Sequence, residues 1–253
     1  MTAMMPVFAQ TAVVAPTSPT IAATATVSPN ATSALALSTT NRVFVDQAGD
    51  NVQVNITQFG SGNKQGSAAR PIYLHGIDQD VTTVQTGDNN EIMFEGVNAS
   101  TGAGVGLKVT IQQTGTGNTV DAACGYGLSS TGGTALTGCK AADLNWKFTG
   151  DSNALQFRAT GDDIKSAITV TGNSNSINSD MIGDKHTQTM MIVGDNNEFN
   201  TSQRSTGSAG SSIWVDLNGT GNRFYVSQTG TVDNVLNIKS VGSAGTWNIV
   251  QKN

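Results

Sequence analysis

The side chains able to do acid–base or metal chemistry are few in this chain and poorly grouped. Histidine occurs only at His75 and His186, far apart in sequence. Neither stands in a cluster with metal-ligand spacing, so each reads as a solvated or turn residue. Carboxylates recur near glycines at Asp50, Asp88, Asp151, Asp162, Asp163, Asp184 and Asp195. On a β-helix such a series could build a calcium ladder or a glycosidase pair. The doubled-glycine nonapeptide of calcium-binding β-rolls is absent, however. An Asp beside glycine is first a turn former that hydrogen-bonds its own backbone. Cys124 and Cys139 flank a loop rich in Gly, Thr and Ser, with no third ligand nearby. In an exported protein they read as a disulfide, in a reducing compartment as two thiols. No catalytic residue, metal site or cofactor is expected, and the chain reads as non-enzymatic.

Composition leads the same way. Of 253 residues, 13 are Lys or Arg and 18 are Asp or Glu, a net charge of −5. Charged residues make up 12%, about half the roughly 25% of an ordinary soluble domain. Gly, Ser, Thr, Asn and Gln fill the gap, with Gly alone at 29 positions. A helical bundle needs charged outer faces and few glycines. Charge-driven disorder needs a high net charge. Nucleic-acid binding rests on a basic patch, and none is present, so nucleic acid is not an expected partner. No apolar run reaches the roughly 18 residues of a membrane-spanning helix.

What must position these residues is a repeat. Gly-x-x-Asn recurs at Gly60–Asn63, Gly87–Asn90, Gly115–Asn118, Gly150–Asn153, Gly172–Asn175, Gly194–Asn197, Gly219–Asn222 and Gly245–Asn248. Two residues before the glycine stands Gln58, Gln85 or Gln113 in early copies, and Phe148, Val170, Ile192 or Leu217 in later ones. Gln47 and Gln228 are grouped with the early glutamines. A weaker glycine precedes most motif glycines by 11 residues, as in Gly49/Gly60, Gly76/Gly87 and Gly161/Gly172. The unit is therefore a strand and turn of about 11 residues, doubled to about 22. From each motif glycine to the next weak one the spacings are 16, 17, 23, 11, 11, 13 and 11. Insertions thus fall on one edge, as repeat architectures place their loops. The longest, about 119–143, holds both cysteines.

Between glycines the residues alternate with the period of a strand. Leu107, Val109, Ile111 and Gln113 share one face, as do Val52, Val54, Ile56 and Gln58, and Leu144, Trp146 and Phe148. Beyond the motif, Ile92, Val120, Leu155, Ile177, Phe199, Phe224 and Val250 continue the inward set. In the same phase Phe44, Phe59, Tyr73, Met191, Trp214 and Tyr225 point outward. Stacked strands place like residues about 4.8 Å apart, so Asn and Gln can bond to their own copies, whereas like charges would repel.

The expected fold is an all-β β-solenoid of about eight two-strand repeats over residues 43–253. It would form a rod on the order of 40 Å long. Residues 10–42 read as a low-complexity flexible leader. Residues 1–9 read as the remnant of a truncated signal peptide, because Val7-Phe8-Ala9 before Gln10 fits a small-residue cleavage site. All 5 prolines lie in the first 71 residues, and Pro71 alone falls within the repeats. Both ends of the stack are therefore expected to be open templates for another chain.

Segments 53–63 (QVNITQFGSGN) and 108–118 (KVTIQQTGTGN), with 226–234 (VSQTGTVDN) as a looser copy, resemble the curlin repeats of curli subunits. Similar repeats occur in bacterial surface proteins such as the holdfast-anchoring proteins of stalked bacteria. The resemblance implies an exported protein, secreted unfolded through an outer-membrane pore and assembling as cross-β fibres at the cell surface. It implies as partners other copies or related fibre subunits, the pore, and an abiotic surface or polysaccharide. Apolar residues replacing Gln in the middle repeats, uneven repeat length and the Cys-bearing insertion suit an adaptor, minor subunit or anchored adhesin. The rival reading is a monomeric or trimeric β-helix adhesin or tip protein that binds or cleaves polysaccharide.

Overall fold

Glycine-punctuated alternation folds here into strands joined by tight corners, and the described residues contain no helix. The computed structural model describes residues 26–28, 31–36, 43, 46–48, 51–60, 62–66, 73–75, 78–87, 89–96, 106–115, 118–124, 139, 141–150, 152–161, 163–172, 174–182, 185–195, 197–204, 211–230, 235–242 and 245–252. The strands begin with β1 (Thr26–Ser28), β2 (Ala31–Ala36), β3 (Asp46–Ala48), β4 (Gln53–Phe59), β5 (Tyr73–His75) and β6 (Gln79–Thr86). Next come β7 (Ile92–Gly96), β8 (Leu107–Thr114), β9 (Val120–Cys124), β10 (Ala142–Thr149), β11 (Ala154–Thr160) and β12 (Lys165–Thr171). The last are β13 (Ser176–Ile182), β14 (Thr187–Val193), β15 (Glu198–Arg204), β16 (Ser212–Asn218), β17 (Arg223–Thr229), β18 (Val235–Val241) and β19 (Thr246–Lys252).

Even-numbered strands from β2 to β18 form one parallel sheet, and odd-numbered strands from β3 to β19 form the other. The chain alternates between them, so each even–odd pair is one coil of a β-solenoid. The six coils from β6/β7 to β16/β17 have both strands developed and a neighbour on each side. Before them, β4/β5 has a second strand of only 3 residues. After them, β18/β19 carries exposed residues along both strands. The packed rod thus has about six turns where the spacing predicts about eight, because an end coil lacks the neighbour that would close its inner face.

Two elements differ from expectation at the N-terminal side. Residues 31–36, read as flexible leader, form β2, which pairs in parallel with β4 through Ala31↔Gln53 to Ala36↔Gln58. Residues 26–28 form β1, the one antiparallel strand among the described residues, paired with β2 through Thr26↔Ser33 and Ser28↔Ala31. A Thr-, Ala- and Val-rich segment has ample strand propensity once an edge is present to pair with.

The core is one continuous layer between the sheets, running from Val43 to Val226. Alternation is followed closely: β10 reads buried at Ala142, Leu144, Trp146 and Phe148 and exposed between them. Trp146 lies at the centre of the layer, with ring centroids 5.2 Å from Phe157 and 6.4 Å from Phe94. Toward the C-terminus the aromatic packing passes to Phe199 and Phe224, stacked at 4.8 Å, and then to Trp247 at 5.6 Å.

Cys124, at the end of β9, is disulfide-bonded to Cys139, with the Cα atoms 5.5 Å apart. Both are buried, and Cys139 sits at a corner directly against Gly161 of the next coil. The bridge closes a loop of sequence separation 15, for which chain entropy gives about 3 kcal/mol. Urea unfolding with and without reductant checks this. The reduced protein, or Cys124→Ser/Cys139→Ser, is expected to lose about that much stability, and an unchanged midpoint would refute it.

Candidate assembly surface

Each coil's first corner is built from the Gly-x-x-Asn motif, and its geometry excludes other residues. Gly194 has φ +150°, and a Cβ there would lie 1.4 Å from the Gly172 carbonyl oxygen of the coil below. The same approach recurs up the stack, where each corner glycine lies on its predecessor. The amide of Gly172 meanwhile donates to the Val193 carbonyl of the following coil at 3.0 Å.

The motif asparagines turn inward and bond to one another. Asn90 Nδ2 donates to Asn63 Oδ1 at 2.6 Å. Asn118 donates to Asn90, Asn153 to Asn118, and Asn175 to Asn153. Asn63, Asn197 and Asn222 also donate to the carbonyl of their own motif glycine, at 2.7, 2.6 and 3.1 Å. The run reverses after Asn175: Asn197 donates forward to Asn222 Oδ1 at 2.8 Å. Asn175 Oδ1 and Asn197 Oδ1 are thereby left without a donor.

Glutamines form a second ladder where the sequence places them. Gln85 Nε2 donates to Gln58 Oε1 at 2.8 Å, and Gln113 to Gln85 at 2.7 Å. Phe148, Val170, Ile192 and Leu217 continue that column as apolar residues. Gln228 belongs elsewhere. It lies on the opposite sheet, in a column with Gln203 before it and Gln251 after it. Backbone register carries this column back through Met181, Cys124 and Leu74 to Gln47 of β3.

The last motif copy is corrected. Gly242, with φ +143°, stacks on Gly219 and is the true corner glycine. Arg223 pairs with Thr246, so Gly245 takes the place of the ladder asparagine, while Asn248 lies exposed on β19. Trp247, and not Val250, then follows Phe224 in the inward column. The corner's short span fixes this frame, which a glycine placed three residues late could not satisfy.

Buried polar residues beyond the motif form a link between the sheets. Gln188 of β14 donates to Ser179 Oγ of β13 at 2.6 Å and accepts from Thr201 Oγ1 of β15 at 2.9 Å. The period-2 phase signals the burial of Gln188, which is in step with Met190 and Ile192, but not its partners. His186 is a further correction: it is fully buried, because strand register sets it between Ile164 and Ser211 on the inner face. His75 falls on β5, where only the backbone is described.

Of the candidate carboxylates, Asp163 has the left-handed φ of 55° that suits a turn former. Asp195 accepts from Thr220 N at 3.0 Å and Oγ1 at 2.8 Å in the next coil, which holds its pKa below the usual range. Asp50, Asp88, Asp151, Asp162 and Asp184 lie outside the described residues. Among the described residues no group of three His, Cys, Asp or Glu gathers as metal ligands.

Charges on the outer faces alternate from coil to coil. Asp80, Lys108, Asp143 and Lys165 are successive register partners. Lys64 pairs with Glu91 at 3.1 Å, and Lys239 with Asp216 at 3.0 Å. Phe59, Met191 and Trp214 point outward and are exposed, Tyr225 is half-exposed, and Phe44 and the Tyr73 side chain lie outside the description. Asp180 on the outer face of β13 has its pKa raised by burial, against the opposing pull of Arg204 and Arg158.

The structure changes character at the C-terminal coil. Phe224 and Val226 are 1% and 2% exposed, whereas Trp247 and Ile249, their register partners one coil on, are 41% and 48% exposed. On the other sheet Leu236 and Ile238 are only partly buried. β18 and β19 are each the last strand of their sheet, so both present an unpaired edge. No family model, curated protein or solved structure matches this chain.

Two stability measurements test these assignments. Asn118→Ala removes an amide bonded on both sides in the buried ladder and is expected to cost about 2–4 kcal/mol in urea unfolding. The exposed Asn178→Ala should stay within about 0.5 kcal/mol, and equal effects would refute the ladder. Asp180 binds its proton more tightly folded than unfolded, so its contribution to stability declines as pH rises from the usual aspartate range near 4. Asp180→Asn is expected to flatten that decline, and a steeper one would show that the arginines dominate.

Proposed function

We propose that this chain is a non-enzymatic extracellular structural protein, a curli-like cross-β fibre subunit or cell-surface attachment protein that assembles by stacking coils end to end. The observation that carries this reading is the β18/β19 coil. Its inward apolar residues are exposed at the end of a stack in which the same positions are otherwise buried, and two unpaired strand edges frame them. A second coil laid on this end would bury those residues and pair both edges, as each coil already does within the chain. Partners under this reading are further copies or related subunits, an outer-membrane pore for export, and a surface or polysaccharide at the anchored end. The Cys124–Cys139 bridge supports export, since structural disulfides persist in oxidising compartments.

One observation favours the rival adhesin reading. Trp214, 48% exposed, stands on the outer face between its register partners Thr189 and Asn237. An aromatic face among hydroxyl and amide groups can stack on a sugar ring. Negative-stain microscopy with fibre diffraction separates the two readings. Rods that lengthen with time and a meridional reflection near 4.7 Å are expected. Discrete particles that stay monomeric and retain polysaccharide through Trp214 would overturn fibre assembly.

A further inference from the structure

The two ends of the solenoid are not alike. At the C-terminal end both strands are seven residues long and open. At the N-terminal end β2 is covered by β1, a strand of 3 residues that runs against the direction of every other pairing among the described residues and is hydrogen-bonded into its sheet through β2. Very short edge strands are one of the devices by which sheets are made poor templates. Pro29, which follows β1 directly in sequence, has no N–H with which to lengthen that ladder.

We propose that β1 is a removable cap, which keeps the N-terminal coil from accepting the β18/β19 coil of a second copy of this chain. This rests on the end-to-end stacking proposed above. The second copy is chosen as occupant because register continues across such a junction. Gln203, Gln228 and Gln251 occupy successive positions of one inward column and Gln47 occupies the same column in β3. Seating β3 of one copy on β19 of another, parallel and in frame, sets the backbone position of Gln47 next to that of Gln251, so that glutamine follows glutamine in the register. Pairing β19 with its own copy, antiparallel over its full length, would instead set Gln251 opposite Trp247. Lys239 does not oppose the junction, because Asp216 of the same chain already holds it at 3.0 Å. The first sheet, by contrast, cannot continue past β2 while β1 occupies that edge.

The test uses the full-length chain carrying Thr26→Pro and Ser28→Pro, which strip β1 of ladder donors. Assembly is followed by light scattering and sedimentation beside the parent. Removing the cap's few hydrogen bonds is expected to raise the assembly rate on the order of tenfold. Adding Ile238→Lys to the open coil is expected to abolish that gain, and a gain that survives it overturns the proposed seat. Equal or slower assembly of the proline variant overturns the cap and leaves end-to-end stacking standing. Absence of rods from parent and variant alike overturns stacking and the cap together. Because β1 pairs only with β2, the variant should retain its circular dichroism and its disulfide. Should it lose either, Thr26→Gly with Ser28→Gly weakens the same pairing and is read by the same outcomes.

Discussion

At the first corner of each coil a glycine lies so close to the carbonyl of the glycine below that any β-carbon would overlap it; at Gly194 the β-carbon would stand only 1.4 Å from the Gly172 oxygen. That approach is the constraint on which the rest of the structure depends. It sets the coil-to-coil spacing at one edge of both sheets, and every other position then meets its own counterpart one coil away. A residue in such a stack must tolerate a copy of itself as a neighbour. Asparagine and glutamine do so by being donor and acceptor at once, and apolar residues do so by packing. Ions do not unless the sign alternates, as it does along Asp80, Lys108, Asp143 and Lys165. The low charge content of the chain is a consequence of this geometry.

The regular part of the fold was legible for the same reason. The motif glycines, the inward phase of Leu107, Val109 and Ile111, and the Gln58–Gln85–Gln113 ladder could be read because each position repeats. What was not legible depended on contacts that do not repeat. The Gln188 link joins β13, β14 and β15 across the core, and nothing in its own strand distinguishes it from a ladder residue. His186 gave no sign of burial because its column also holds Ile164 and Ser211, which share no chemistry with it. The Gly-x-x-Asn spelling points to Gly245 for the last corner, whereas the strand register selects Gly242. β1 and β2 were hidden by composition, since their pairing comes from an edge that β4 provides.

The interior also changes along the rod. Near the N-terminal end the inner column of the first sheet is amide, at Gln58, Gln85 and Gln113, and it becomes Phe148, Val170, Ile192 and Leu217 thereafter. On the second sheet the order is opposite, with glutamines gathered at Gln203, Gln228 and Gln251. Trp146 and its partners fill the middle, where the cysteine bridge also lies. Each coil therefore has neighbours of its own kind on one side and of another kind beyond.

This unevenness bears on how a repetitive chain selects one pairing. In a stack of identical coils, slipping a strand pairing by one whole repeat would exchange like for like and cost little, which is how flat repetitive strands lose register. Here a slip of one coil would set Trp146 in a slot shaped for Ile111 or Ile168. It would also part Gln188 from Ser179 and Thr201, leaving buried polar atoms unbonded, at about 1–3 kcal/mol each. The Cys124–Cys139 bridge uses the two cysteines of the sequence, so the adjoining coils cannot repeat it. Departures from the repeat thus fix the register inside the molecule. At the two ends backbone register places Gln47 and Gln251 in one column, the uniformity that the proposed stacking between molecules would require.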